Sequence, residues 1–72
     1  MDYQRISCTL FDRIENLAVL KKKVKITYLN EKNIFDFQNG IITNIFSENN
    51  SEFLSINNVK IRLDKIQSIK EF

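Results

Sequence analysis

Apolar positions along this chain change period twice. Leu10, Ile14, Leu17 and Leu20 recur at three- and four-residue spacing with Phe11 beside them, which predicts one short amphipathic helix over about 10–21. Thr9 stands three residues before Asp12 and reads as a capping box with Asp in the usual Glu position. Asp12 and Glu15 would then suit the positive end of the helix dipole, and Lys21, Lys22 and Lys23 its negative end. Residues 1–8 form an extended lead-in, with Tyr3 and Ile6 as anchors.

From Val24 the period drops to two. Val24, Ile26 and Tyr28 alternate with Lys25, Thr27 and Leu29, a strand of about 23–29. The Asn30–Asn33 turn leads to a second strand, Ile34–Gln38, with Phe35 and Phe37 on one face. Gly40 then interrupts a β-prone run through Phe46, where one long bent strand and two separate strands fit equally. Glu52–Ile56 follows, with Phe53 and Leu54 on opposite faces, and Asn57-Asn58 makes a two-residue hairpin loop. Val59, Ile61 and Leu63 alternate with Lys60, Arg62 and Asp64, after which Ile66 and Ile69 fall out of step. That strand bends, or ends and lets a last one begin over Lys65–Ile69. The expected class is mainly β (α+β): one N-terminal helix and a small, five-stranded, bent antiparallel sheet tending to a barrel, in a single domain over 1–72.

Composition narrows this further. Seventy-two residues with 43% hydrophobic content suffice for one small core. With one Gly and no Pro, turns must rest on Asn, Asp, Glu and Lys, as at Asn30–Asn33, Glu48–Ser51 and Asn57-Asn58. There is no signal-peptide pattern and no apolar run of membrane-spanning length, so a cytosolic protein is expected. Cys8, alone and without any His in the chain, offers no disulfide or zinc site and reads as a small buried apolar residue. No cofactor or metal is expected. Without His, a nucleophile–base pair or a glycine-rich phosphate loop, an enzyme is not expected either.

The net charge is +2 but unevenly spread. Residues 17–36 place Lys21, Lys22, Lys23, Lys25 and Lys32 against Glu31 and Asp36, while residues 37–59 hold only Glu48 and Glu52. The lysines 21, 22, 23 and 25, with Tyr28 nearby, offer phosphate contacts and a stacking aromatic for a nucleic acid. The plainer reading is a solvated helix end.

Tyr3-Gln4-x-Ile6-x-Cys8 followed by Phe11-Asp12-x-Ile14-Glu15, then Gly40 with Glu52-Phe53-Leu54, then Ile61-Arg62-Leu63-Asp64-Lys65-Ile66, together resemble the Rho-binding antiterminator (Rof) family over nearly the whole chain. Tyr3, Cys8, Gly40, Arg62 and Asp64 are the fingerprint positions. Arg5 stands where that family commonly has Pro, and Thr9-Leu10 where it has acidic residues. The resemblance implies an Sm-like barrel with an N-terminal helix. It also implies a non-enzymatic role: binding the transcription terminator Rho and hindering RNA loading at its primary site. On the matching positions it makes Phe11, Asp12 and Glu15 the partner-binding residues, an acidic and aromatic patch suited to a basic RNA site. Those same residues would serve equally as helix cap and packing. Arg62 and Asp64 read as a structural pair on one strand face. Antiterminators of this family resemble monomers, whereas Sm folds often form rings, and the sequence leaves the choice open, with a monomer the expectation. The alternative function is an Sm-like RNA-binding module using the Lys21–Lys25 cluster.

Overall fold

The structure, a computed structural model, describes residues 3–72. One helix, α1 (Cys8–Val19), precedes five strands: β1 (Lys23–Leu29), β2 (Phe35–Glu48), β3 (Ser51–Ile56), β4 (Val59–Arg62) and β5 (Ile66–Glu71). All pairings are antiparallel, in the order β4-β3-β2-β1-β5. The mainly β arrangement of one helix and a bent five-stranded sheet is as the sequence predicts.

The helix starts earlier and ends earlier than its spacing indicated. Ser7, extended at φ −66° and ψ 152°, is the N-cap, and its Oγ accepts from the Leu10 amide at 3.2 Å. Thr9 therefore lies inside the first turn and makes no capping box, and Asp12 and Glu15 sit beyond that turn. At the other end the Lys22 amide donates to the Leu17 carbonyl and the Lys21 amide to the Ala18 carbonyl. These two bonds form a Schellman closure, with Lys21 at φ 53° in the left-handed position glycine usually takes. Lys21–Lys23 are thus past the helix, not in its last turn. Leu20 is exposed, while Ile14 and Leu17 carry the buried stripe with Leu10, Phe11 and Ala18 packed alongside.

The central element is β2. Its first half, 35–41, pairs with β1, and its second half, from Ile42, pairs with β3. Between the two, Ile42 faces Ile56 and Asn44 faces Ser55, so Thr43 is an extra residue, a bulge. The single long bent strand is therefore the observed alternative. Odd residues face outward before the bulge and even ones after it. That shift explains why Ile42 and Ile45 both point inward although three residues apart.

The turns are built from asparagine. Among the described residues, five of the six non-glycine residues with positive φ are Asn33, Asn49, Asn50, Asn57 and Asn58. Asn49-Asn50 and Asn57-Asn58 each have two successive left-handed residues, the geometry of tight hairpins that match strand twist. Asn30 folds its own turn, its Oδ1 accepting from the Lys32 and Ile34 amides.

The core lies between α1 and the concave side of the sheet. Ile14, Val24, Ile26, Leu54, Ile56 and Leu63 are fully buried there, joined by Leu17, Tyr28, Ile42, Ile61 and Ile69. β4 and β5, the two edges, are connected through a 3-10 turn at Leu63–Lys65. The first strand of this pair ends at Arg62. Leu63 then drops into the core from the turn itself, so the change of step before Ile66 is a break between two strands.

Candidate functional site

Three surface regions collect the residues that the sequence singled out. The first is the outer side of α1. Asp12 and Glu15 are exposed and Phe11 is half-buried. Their three- and four-residue separations make them neighbours on one helical surface. The face is held firmly: both helix ends are capped, and Arg13 Nη2 donates to the Ile69 carbonyl at 2.9 Å, tying α1 to β5. Cys8 shares this outer side and is exposed, not buried as its type suggested. It occupies the helix's first turn, where the stripe pattern leaves it opposite Leu10 and Ile14.

The second region is a polar brace under the lead-in. Arg62 Nε and Nη2 donate to the two carboxylate oxygens of Asp64 at 3.0 and 2.7 Å. Asp64 Oδ2 also accepts from the Gln4 amide at 3.0 Å. The pair belongs to two elements, Arg62 to β4 and Asp64 to the 3-10 turn, and does not share one strand face as the alternation implied. The Tyr3 ring lies against the Arg62 guanidinium, 5.6 Å from its centroid, and its hydroxyl donates to Glu52 Oε1 at 3.0 Å. Burial, that hydrogen bond and the nearby Glu52 and Asp64 carboxylates push the Tyr3 phenol up to about 12. Tyr3, Arg62 and Asp64 therefore form one structural unit pinning residues 3–4 to the far edge of the sheet. Glu52 is the member sequence reasoning missed; only its place beside Phe53-Leu54 marked it.

The third region is the outer side of β1, the first half of β2, and β5. Lys23, Lys25, Thr27 and Leu29 point outward from β1, and the register places Ile41, Asn39, Phe37 and Phe35 beside them in turn. On the other flank Lys70 faces Lys25 and Ser68 faces Thr27. The Phe72 amide donates to the Lys23 carbonyl, which extends the ladder and brings Phe72 onto this side. Lys25 Nζ lies 4.7 Å from the Phe37 ring centroid and Lys23 Nζ 5.5 Å from that of Phe72. Of the lysines in the sequence cluster, Lys23 and Lys25 are on this surface, while Lys21 and Lys22 lie in the turn leading to it. Tyr28 is a core residue and presents no ring to a ligand, correcting its role as the stacking aromatic. Phe35 and Phe37 take that place; the hairpin register sets them beside Leu29 and Thr27 on the face that also carries Lys23 and Lys25, with Lys25 reaching Phe37 diagonally.

Gly40 is where the sheet's bend meets the β3–β4 turn. The Asn57 amide group donates to the Asn39 carbonyl at 2.7 Å and to Gln38 Oε1 at 3.1 Å. A Cβ at residue 40 would stand 2.8 Å from Asn57 Oδ1. Glycine is used here for close approach.

Among the described residues no group of three or more His, Cys, Asp or Glu could hold a metal ion, and no helix is long and apolar enough to cross a membrane. Comparison of the chain with protein-family models, curated proteins and solved structures finds no match in any of the three.

Proposed function

We propose that this protein is a bacterial, cytoplasmic regulator of transcription termination that binds Rho and hinders RNA loading at its primary site, without catalysis of its own. The observation that carries the reading is the exposed carboxylate pair Asp12 and Glu15 beside half-buried Phe11, on a helix capped at both ends and tied to β5 by Arg13. A site that holds RNA must be basic, and a rigid acidic surface with an adjacent aromatic competes for it by charge complementarity and little ordering cost. The order of one helix followed by a bent five-stranded antiparallel sheet supports an Sm-like relationship to the antiterminators. So does the use of the motif residues Tyr3, Gly40, Arg62 and Asp64 at structural joints.

The test is displacement of a fluorescent pyrimidine-rich oligonucleotide from Rho of the same organism, read by anisotropy. The wild-type protein is expected to lower the signal. D12K/E15K is expected to do so with at least hundredfold weaker affinity, about 1.4 kcal/mol for each reversed charge. An oligonucleotide that stays bound at saturating wild-type protein overturns the proposal. Displacement by D12K/E15K as strong as wild type removes the helix from the contact.

A further inference from the structure

We infer that the outer surface of β1, the first half of β2, and β5 binds single-stranded nucleic acid, with Phe35 and Phe37 stacking on bases and Lys23, Lys25 and Lys70 on phosphates. This surface is separate from the helix face proposed to meet Rho, and the inference does not depend on that proposal.

Four large apolar side chains lie uncovered here: Phe35 at 60%, Phe37 at 52%, Ile41 at 41% and Phe72 at 73% exposure. An exposed cluster of this kind on a small protein marks a contact surface. What selects the partner is the charge. The outward positions of these three segments hold three lysines, and among the described residues no carboxylate shares them; Asp36 and Glu71 take the opposite parity. A ligand that is polyanionic along one edge and flat and apolar along the other matches this set, and an unpaired strand has both properties.

The spacing agrees. Phe35 and Phe37 are two residues apart on one strand, about 7 Å. That is roughly twice the 3.4 Å rise of stacked bases, so two successive bases would be splayed, each on its own ring, along an extended backbone. The lysines run alongside on the next strands, about 5 Å away per strand. Lys25 already lies over Phe37 and Lys23 over Phe72, so each cation is held where a phosphate flanking a stacked base would pass. Stacking on the rings and lysine contacts to phosphates do not depend on the sugar, so RNA and DNA strands should bind alike and duplexes poorly.

The experiment is anisotropy of 5′-labelled U10, dT10 and a 10-base-pair duplex titrated with the intact protein alone, over a range of salt. The expected result is binding of both single strands within about threefold of each other. Their log K against log salt slope should be near −2, for three phosphates on a single strand. The duplex should bind at least tenfold more weakly. F35A/F37A should weaken single-strand binding by tenfold or more, and K23E/K25E should abolish it, each with an unchanged circular dichroism spectrum because these side chains lie outside the core. K32A, a lysine of the β1–β2 turn outside this surface, should bind as wild type. Absence of binding at low salt, or F35A/F37A binding as wild type, overturns the inference. A strong preference for U10 over dT10 does so as well, because stacking on Phe35 and Phe37 and phosphate contacts from the three lysines do not depend on the 2′-hydroxyl. Concentration-dependent self-association lost in F35A/F37A would assign the surface to a second copy of the chain instead.

Discussion

Replacing Asp64 by Ala should destabilise this protein far more than its place in a surface turn implies. The Asp64 side chain is 4% exposed, and its carboxylate accepts three bonds, two from Arg62 and one from the Gln4 amide. Removing it strands a guanidinium whose side chain is only 24% exposed. Breaking a fully buried pair costs about 3–5 kcal/mol. Water reaching the open quarter of Arg62 recovers part of that, which leaves about 2–3 kcal/mol after adding the loose Gln4 amide. A chain of this size has roughly 4–11 kcal/mol of total stability. D64A should therefore lower the thermal midpoint by about 10–20 °C. In urea it should shift the midpoint with no change in slope, since the same surface is exposed on unfolding. D64N keeps an acceptor for Gln4 and one for Arg62 and should cost about half as much. R62A combined with D64A should cost less than the two singles added, by about 1 kcal/mol or more. A loss below about 0.5 kcal/mol in D64A, the range of ordinary surface changes, would refute the brace as a stabilising unit.

Two further stability predictions follow from the joints described above. G40A should cost about 1–3 kcal/mol in urea melts by pushing Asn57 off the Asn39 carbonyl, and G40A in an N57G background should cost clearly less; equal costs in both backgrounds would mean Asn57 is not what Gly40 makes room for. For Tyr3, a phenol raised from 10.0 to about 12 holds its proton more tightly folded than unfolded. Its stabilising contribution is therefore complete below pH 10 and is lost as the pH rises through 12. The stability gap between wild type and Y3F should narrow over that window, and a gap constant from pH 9 to 12 would contradict a phenol raised by burial and the Glu52 bond.

Much of the sheet is legible in the chain because alternation and Asn-rich turns act locally. Val24–Tyr28 reads as a half-buried strand and is one, and Asn57-Asn58 reads as a two-residue hairpin loop and adopts two left-handed residues. The helix boundaries are harder to read because Ser7 and Thr9 are both competent caps. Which one is used depends on where Leu10, Ile14 and Leu17 must land on the sheet, and that is settled by tertiary packing. Cys8 follows the same rule: its type favours burial, but its helical phase sends it outward. In the brace, the Arg62–Asp64 pair is local and legible as a structural pair, but the bonds of Tyr3 to Glu52 and of Gln4 to Asp64 join residues nearly fifty or more apart, and no local pattern encodes them. For the outer lysine–phenylalanine surface, each strand showed its own alternation. The combination appears only once the hairpin register sets Thr27 against Phe37.

The bulge at Thr43 concentrates the shape of the molecule in a single residue. Without it, Ile42, Asn44, Ile45 and Phe46 would alternate in, out, in, out without interruption. Loss of that residue would thus leave every side chain on its present side while straightening the strand shared by both halves of the sheet. The three-residue turn at Leu63–Lys65 could not span the ends of a straightened sheet, so Val59–Arg62 or Ile66–Glu71 would be pulled from its place and be free to pair with other chains. In evolutionary terms, a one-residue deletion here that conserves the whole hydrophobic pattern would convert a self-limiting globule into an aggregation-prone sheet. Drift in chain length is therefore far better tolerated in the asparagine turns than at this point.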